Sequence, residues 1–315
     1  MSEQAAETVE RVLHDELVEG DAMIAAARPI LRHLLANDDN GLFSDETIAR
    51  VRGLVLNVAG QLLFAQAEAA EARNRPAYVA GRQDRLAQAL FGDTGFLAHA
   101  HALTVEAQLT ERLQARNGID AVLTPLVGEL AGSGDRDTAG LAMAVLAAQA
   151  RFQQHWRRME LPLGELPGDL FHRALVLLRE RADGDDESAA EAAERRLRDD
   201  YQEGAGRLGL IARLVMALGQ QAPRALSIDH AGLAVFATAL AMASGQERDL
   251  VVLSFSERQY ARLAVSLCAA GLKPQAVLEQ FLYLHPDVSL PDGFETLRAD
   301  RAVALLAMAQ PEAAH

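Results

Sequence analysis

Leu197, Tyr201, Gly204, Leu208, Ile211, Val215 and Leu218 recur at alternating steps of four and three within residues 188–219. That spacing keeps one stripe along a single face of a helix and matches no strand. Ser188 and Glu191 have the spacing of a capping box, which satisfies free amides at a helix start. The acidic run DGDDE at 183–187 precedes them and marks a solvated joint. The pattern predicts one long helix, leading a C-terminal helical half (183–315) behind an N-terminal helical half (1–182), or else continuous with it in one domain. The 197–218 stripe also offers a surface on which a second copy of the chain could pair as a homodimer.

Such a chain needs apolar residues that pack helices closely, and it has them. Half of its 315 residues are hydrophobic while only 5% are aromatic, a balance that suits close helix packing rather than a β-sandwich. The expected fold is all-α, with roughly twelve helices arranged as stacked helical hairpins or an irregular bundle. Helices are expected at 4–19, ending near Gly20, at 22–36, kinked at Pro29, and from Ser44 to about 73. Others follow at 76–90, 95–116 (stopped by Asn117-Gly118), 119–131, 137–159 and 170–182. Beyond residue 219 they are expected at 229–244, 257–270, 274–284 and 294–309. The stretch 249–256, DLVVLSFS, is the strand-like exception, although short apolar runs do not separate strand from buried helix.

The charge balance, 30 basic against 44 acidic residues for a net of −14, repels phosphate backbones and anionic surfaces. Nucleic acid is therefore an unfavoured partner. The opening residues lack the apolar core of a signal peptide, and the longest nearly unbroken apolar run, 231–243, is too short to cross a bilayer. A cytoplasmic location without membrane attachment is the expectation, and the single cysteine, Cys268, permits no internal disulfide.

The chemical motifs are sparse. His99 and His101 resemble a ligand pair, but residues two apart on a helix point about 200° from each other. No metal and no cofactor are expected. GAGRLG at 204–209 mimics a glycine fingerprint for dinucleotides without the strand that must precede it, so close helix packing is the better reading. Cys268 lies among apolar helix residues, which suits an inert thiol. His14 stands before a run of acids with no phosphotransfer signature around it. Residues 260–284 have the helix–turn–helix form, yet their second helix offers Gln275, Glu279 and Gln280 where a DNA reader needs basic side chains.

One constellation remains. Arg151, His155 and Arg158 fall at i, i+4 and i+7 of the helix 137–159, beside Gln154 and the single tryptophan, Trp156. The loop ELPLGELPGD (160–169) follows directly. A cationic stripe beside an aromatic ring and a proline-rich loop fits an acidic protein partner or another anion. The alternative is internal pairing with carboxylates such as Glu106 or Glu111. With no catalytic residues recognised, the functional expectation is a protein–protein interaction or regulatory scaffold. An apolar small-molecule binder or enzyme with a pocket between helices, opened by Gly204, Gly206 and Gly209, is one alternative. A helix-turn-helix transcriptional regulator is the other.

Overall fold

The structure is a computed structural model that describes residues 2–36, 45–184, 186–256 and 259–309. It is all-α: 80% helical with no strand among the described residues. Fifteen α-helices are present there, or sixteen when the one broken at Gly232 is counted as two, more than the dozen expected. They form two compact units. Unit 1 comprises residues 1–27, 105–139 and 214–315, and unit 2 comprises 28–104 and 140–213. Each is therefore assembled from separated stretches, whereas a division at 182/183 follows chain order.

Unit 2 is built on α2 (Asp45–Ala69), which packs against α3 (Arg75–Ala80), α4 (Gln83–Gly92), α8 (Gly168–Glu180) and α9 (Asp186–Asp200). Its apolar residues cover most of its circumference, and Val51, Leu54, Val58, Leu62 and Leu63 are all buried. Phe64 is exposed instead, with the Arg75 guanidinium 5.5 Å from its ring centre. The expected start at Ser44 lies outside the described residues. By length and apolarity α2 could cross a membrane, and half of that apolar window is buried within the protein. Asp186 holds the start of α9 to α3 and α4: it accepts from Tyr78 Oη and Arg82 Nε, each at 2.8 Å.

The apolar α11 (Ile228–Ser244) plays the same part in unit 1. It contacts α6 (Pro125–Ala131), α12 (Arg248–Leu253) and α13 (Tyr260–Ala269), and α13 in turn packs on α14 (Pro274–Leu284) and α15 (Ala299–Met308). α11 breaks at Gly232, where φ is +72° and a Cβ would lie 2.4 Å from Thr124 Cγ2. Only glycine fits that left-handed, crowded position. Gln280 Oε1 accepts from Ile228 N at 2.9 Å, so a side chain of α14 satisfies an amide at the start of α11.

Four expectations give way to tertiary contacts. The first helix does not stop at Gly20: α1 runs Ser2–Ala36, through Pro29 as well. Gly20 is there for close approach, since a Cβ would sit 2.4 Å from Gln259 Oε1, and Gln259 Nε2 donates to Gly20 O at 2.7 Å. The strand-like 249–256 is mostly the helix α12, whose Val251, Val252 and Leu253 are buried. Finally, the long helix 188–219 is not continuous. α9 begins at Asp186, placing Ser188 and Glu191 inside it, and ends at Asp200, and α10 spans Arg207–Ala217. Tyr201 and Gly204 of the stripe fall in the break, so 197–218 is not one face. Of its other members, Ile211, Val215 and Leu218 are buried within the chain, and Leu197 and Leu208 are half-buried.

Polar atoms are buried with the core and are largely matched. Arg248 pairs with Glu106 at 2.9 Å, both well shielded, and donates to Thr238 Oγ1 at 3.0 Å. The fully buried Arg262 pairs with Asp21 and donates to Gln246 Oε1 at 2.8 Å, fastening α1 to α13.

Candidate functional site

The candidate constellation lies at the C-terminal end of α7 (Arg136–Arg157). The helix closes through Met159, a non-glycine residue at φ +54°, with Glu160 N donating to His155 O at 2.9 Å. This is a left-handed cap of the kind glycine usually fills, and a Cβ at Gly53 of α2 would meet Met159 Sδ at 2.9 Å. Arg158 belongs to the closing turn rather than to the helix. The i, i+7 face assumed for it therefore does not extend that far.

The five candidate residues divide by burial. Arg151, Gln154 and Arg158 are exposed. His155 is half-buried, its Nδ1 2.8 Å from Glu160 Oε2. Trp156 is a core residue at 4% exposure, so its ring is an anchor and not an outward contact. Arg157, which the spacing argument passed over, is exposed beside Arg158. Of the carboxylates proposed to neutralise the stripe, Glu106 pairs with Arg248 within unit 1. The side chains of Arg151, Arg157 and Arg158 form no ion pair with any described carboxylate of their own unit.

Under this exposed end lies an alternation of cations and rings. The buried Arg207 guanidinium sits 3.8 Å from the centre of the Phe152 ring, Phe152 stacks on Trp156 with centres 6.2 Å apart, and Arg50 lies 5.2 Å from the Trp156 ring. A desolvated cation–ring contact such as that of Arg207 contributes about 2 kcal/mol, and the partly exposed one of Arg50 less. Arg50 also donates to Trp156 O at 3.0 Å, and Arg207 to Gln149 Oε1 at 3.2 Å. The last turns of α7 are held from both sides.

The loop 160–169 and the GAGRLG segment, flagged separately in the sequence, turn out to be partners. Asn57 and Gln61 of α2 bind the loop as a strand would: Leu161 N donates to Asn57 Oδ1 at 2.9 Å, Gln61 Nε2 to Leu161 O at 2.8 Å, and Leu163 N to Gln61 Oε1 at 3.1 Å. Two carboxylates then cap helices across the contact. Glu203 Oε1 accepts from Gly168 N, at the start of α8, at 3.0 Å, and Glu165 Oε2 accepts from Arg207 N, at the start of α10, at 2.7 Å. Both place negative charge at a helix N-terminus, where the helix dipole favours it. Tyr201 stacks on Phe171, ring centres 3.9 Å apart, and donates to Leu166 O at 2.8 Å. Burial pushes its hydroxyl up to about 12. A Cβ at Gly206 would lie 2.7 Å from Gly164 O, and one at Gly209 2.4 Å from Glu203 O. These glycines let backbones meet and open no pocket around themselves.

Other reactive groups are sealed. Burial pushes the Cys268 thiol up to about 11 and holds the His101 imidazole down at about 4. No group of three metal-ligating side chains occurs among the described residues. α13, the turn at Gly271 (φ +88°) and α14 do form a helical hairpin. The exposed positions of α14 include Gln275, Leu278, Glu279 and Leu282, none of them basic. Compared with family models, with curated proteins and with solved structures, the chain matches none.

Proposed function

We propose that this chain acts by protein–protein contact, as a scaffold or regulator without catalytic activity, and that the end of α7 receives an acidic segment of its partner. One observation carries the reading. Arg151, Arg157 and Arg158 are exposed and unpaired among the described carboxylates of their own unit, in a chain with an excess of acid, on a helix end held in place by the Arg207–Phe152–Trp156–Arg50 series. The held helix end presents several guanidinium groups side by side, and each can bind a carboxylate bidentately. Gln154 adds a donor beside them. Trp156 acts indirectly, by fixing the platform. The reading goes with a cytoplasmic location.

The test is the pair Arg151→Glu and Arg158→Glu in the full chain. Partners retained from native lysate by the unmodified protein should be lost by the double variant at unchanged melting temperature. Retention of the same partners by the double variant, or a fall in melting temperature that accounts for the loss, refutes the assignment. For the pocket reading, Gly206 and Gly209 give no support, because backbone atoms occupy the space beside them, while the space beside Gly204 is open.

A further inference from the structure

Unit 1 carries a crevice of about 340 Å³ whose two sides differ in chemistry. Its apolar side is made by Leu130 of α6 and by Leu214, Ala217 and Leu218 at the end of α10, with Leu214 and Leu218 buried. Its polar side is Arg224, from the 3-10 stretch 219–226, with Gln221 and Glu129. Arg224 is fixed in direction. It donates through Nη1 to Gln221 Oε1 at 3.0 Å and through Nη2 to His230 Nε2 at 3.1 Å, and it pairs with Glu129 on the facing helix. A guanidinium has five N–H groups, so these three acceptors leave two for a ligand.

We propose that this crevice binds a small amphipathic monocarboxylate, whose carboxylate replaces Glu129 on Arg224 while its short apolar tail lies on Leu130, Leu214 and Leu218. Glu129 is half exposed, with 54% of its side chain accessible. Its pairing with Arg224 is therefore a surface ion pair that contributes little, and a displaced Glu129 is solvated at once. The held guanidinium keeps its geometry whichever carboxylate it meets. The volume sits at the low end of the range of about 300–1,000 Å³ for ligand pockets, which favours a short tail over a long one. A single guanidinium matches the charge of one carboxylate. A phosphate dianion would leave charge uncompensated in a protein of net charge −14.

Octanoate titrated into the full chain by calorimetry is the test, with octanol as the uncharged control. One saturable site is expected for octanoate. Arg224→Gln should weaken it tenfold or more, and Ala217→Trp, which fills the crevice from an exposed position, should abolish it at unchanged melting temperature. Glu129→Gln should tighten it several-fold, because the competing carboxylate is gone. That sign is opposite to the effect of general damage. The proposal is overturned if octanoate shows no saturable binding, if the Ala217→Trp variant binds it equally well, or if octanol binds as tightly as octanoate. None of these residues belongs to the α7 platform, so failure here leaves the partner reading untouched.

Discussion

Alanine substitutions at two helical glycines should move stability in opposite directions. At Gly209, in the first turn of α10, a Cβ would lie 2.4 Å from Glu203 O and 2.9 Å from Gly204 Cα. Both are backbone atoms, so no side-chain rotation relieves the clash. Alanine gains roughly 1 kcal/mol of helix propensity over glycine. Overpacking that shifts backbone costs about 1–3 kcal/mol or more, and here the shift would disturb the turn that carries Glu203 to α8. The expected net effect is a loss of about 1–2 kcal/mol. Gly140, in α7, is exposed with nothing within 4 Å of a Cβ. There the same change should gain roughly 1 kcal/mol. For units of roughly 150 residues, 1 kcal/mol moves the midpoint by about 2–4 °C. Thermal unfolding followed by calorimetry should place Gly140→Ala above the unmodified protein and Gly209→Ala below it. If Gly209→Ala melts at or above the unmodified protein while Gly140→Ala rises, the close backbone approach at 204–209 is refuted. That segment would then be open to another role.

Two further outcomes follow from buried charge. Glu106→Gln strips the shielded Arg248 of its carboxylate and should cost about 3–5 kcal/mol in urea unfolding. Adding Arg248→Met should recover most of that loss, and no recovery would show that the pair is not the source. His101 is held down at about 4, against 6.5 when unburied, because its charged form is desolvated. The folded state therefore binds fewer protons than the unfolded one below pH about 6.5. Stability should fall as pH drops from about 6.5 towards about 4, by about 3 kcal/mol in full. Carboxylates held low, such as Asp186, slope the same way, so the comparison is with His101→Gln. The variant's pH curve should be flatter over that window, and parallel curves would remove His101 as the cause.

The expectation for 188–219 shows where periodicity misleads. Its stripe keeps perfect helical spacing, yet Tyr201 leaves helical pairing to stack on Phe171, and Glu203 turns to cap α8. The contacts that hold the break are made with residues 30 and 35 positions earlier in the chain, which no local pattern encodes. Both partners were visible as oddities, a proline-rich loop and a glycine triplet, but their pairing was not. The candidate site divides in the same way. That arginines cluster at the end of α7 is read directly from the residues. That Trp156 is inside and Arg157 outside depends on Arg50, Phe152 and Arg207, from three different helices.

The residues alone determined that this is an all-α protein, because 50% hydrophobic with 5% aromatic composition and repeated three- and four-residue spacing leave no other way to bury the apolar surface. They also placed the terminus at Gly118, whose φ of +69° is open to glycine at little cost, and the end of α14 before His285-Pro286. Only the tertiary structure decided which apolar helices became the centres of the two units. It also made a helix of most of 249–256, as far as Leu253, and carried α1 through Gly20 onto Gln259. Those outcomes rest on contacts between residues up to 239 positions apart. Local propensity amounts to less than about 1 kcal/mol per residue and yields wherever burial and a matched polar partner supply more.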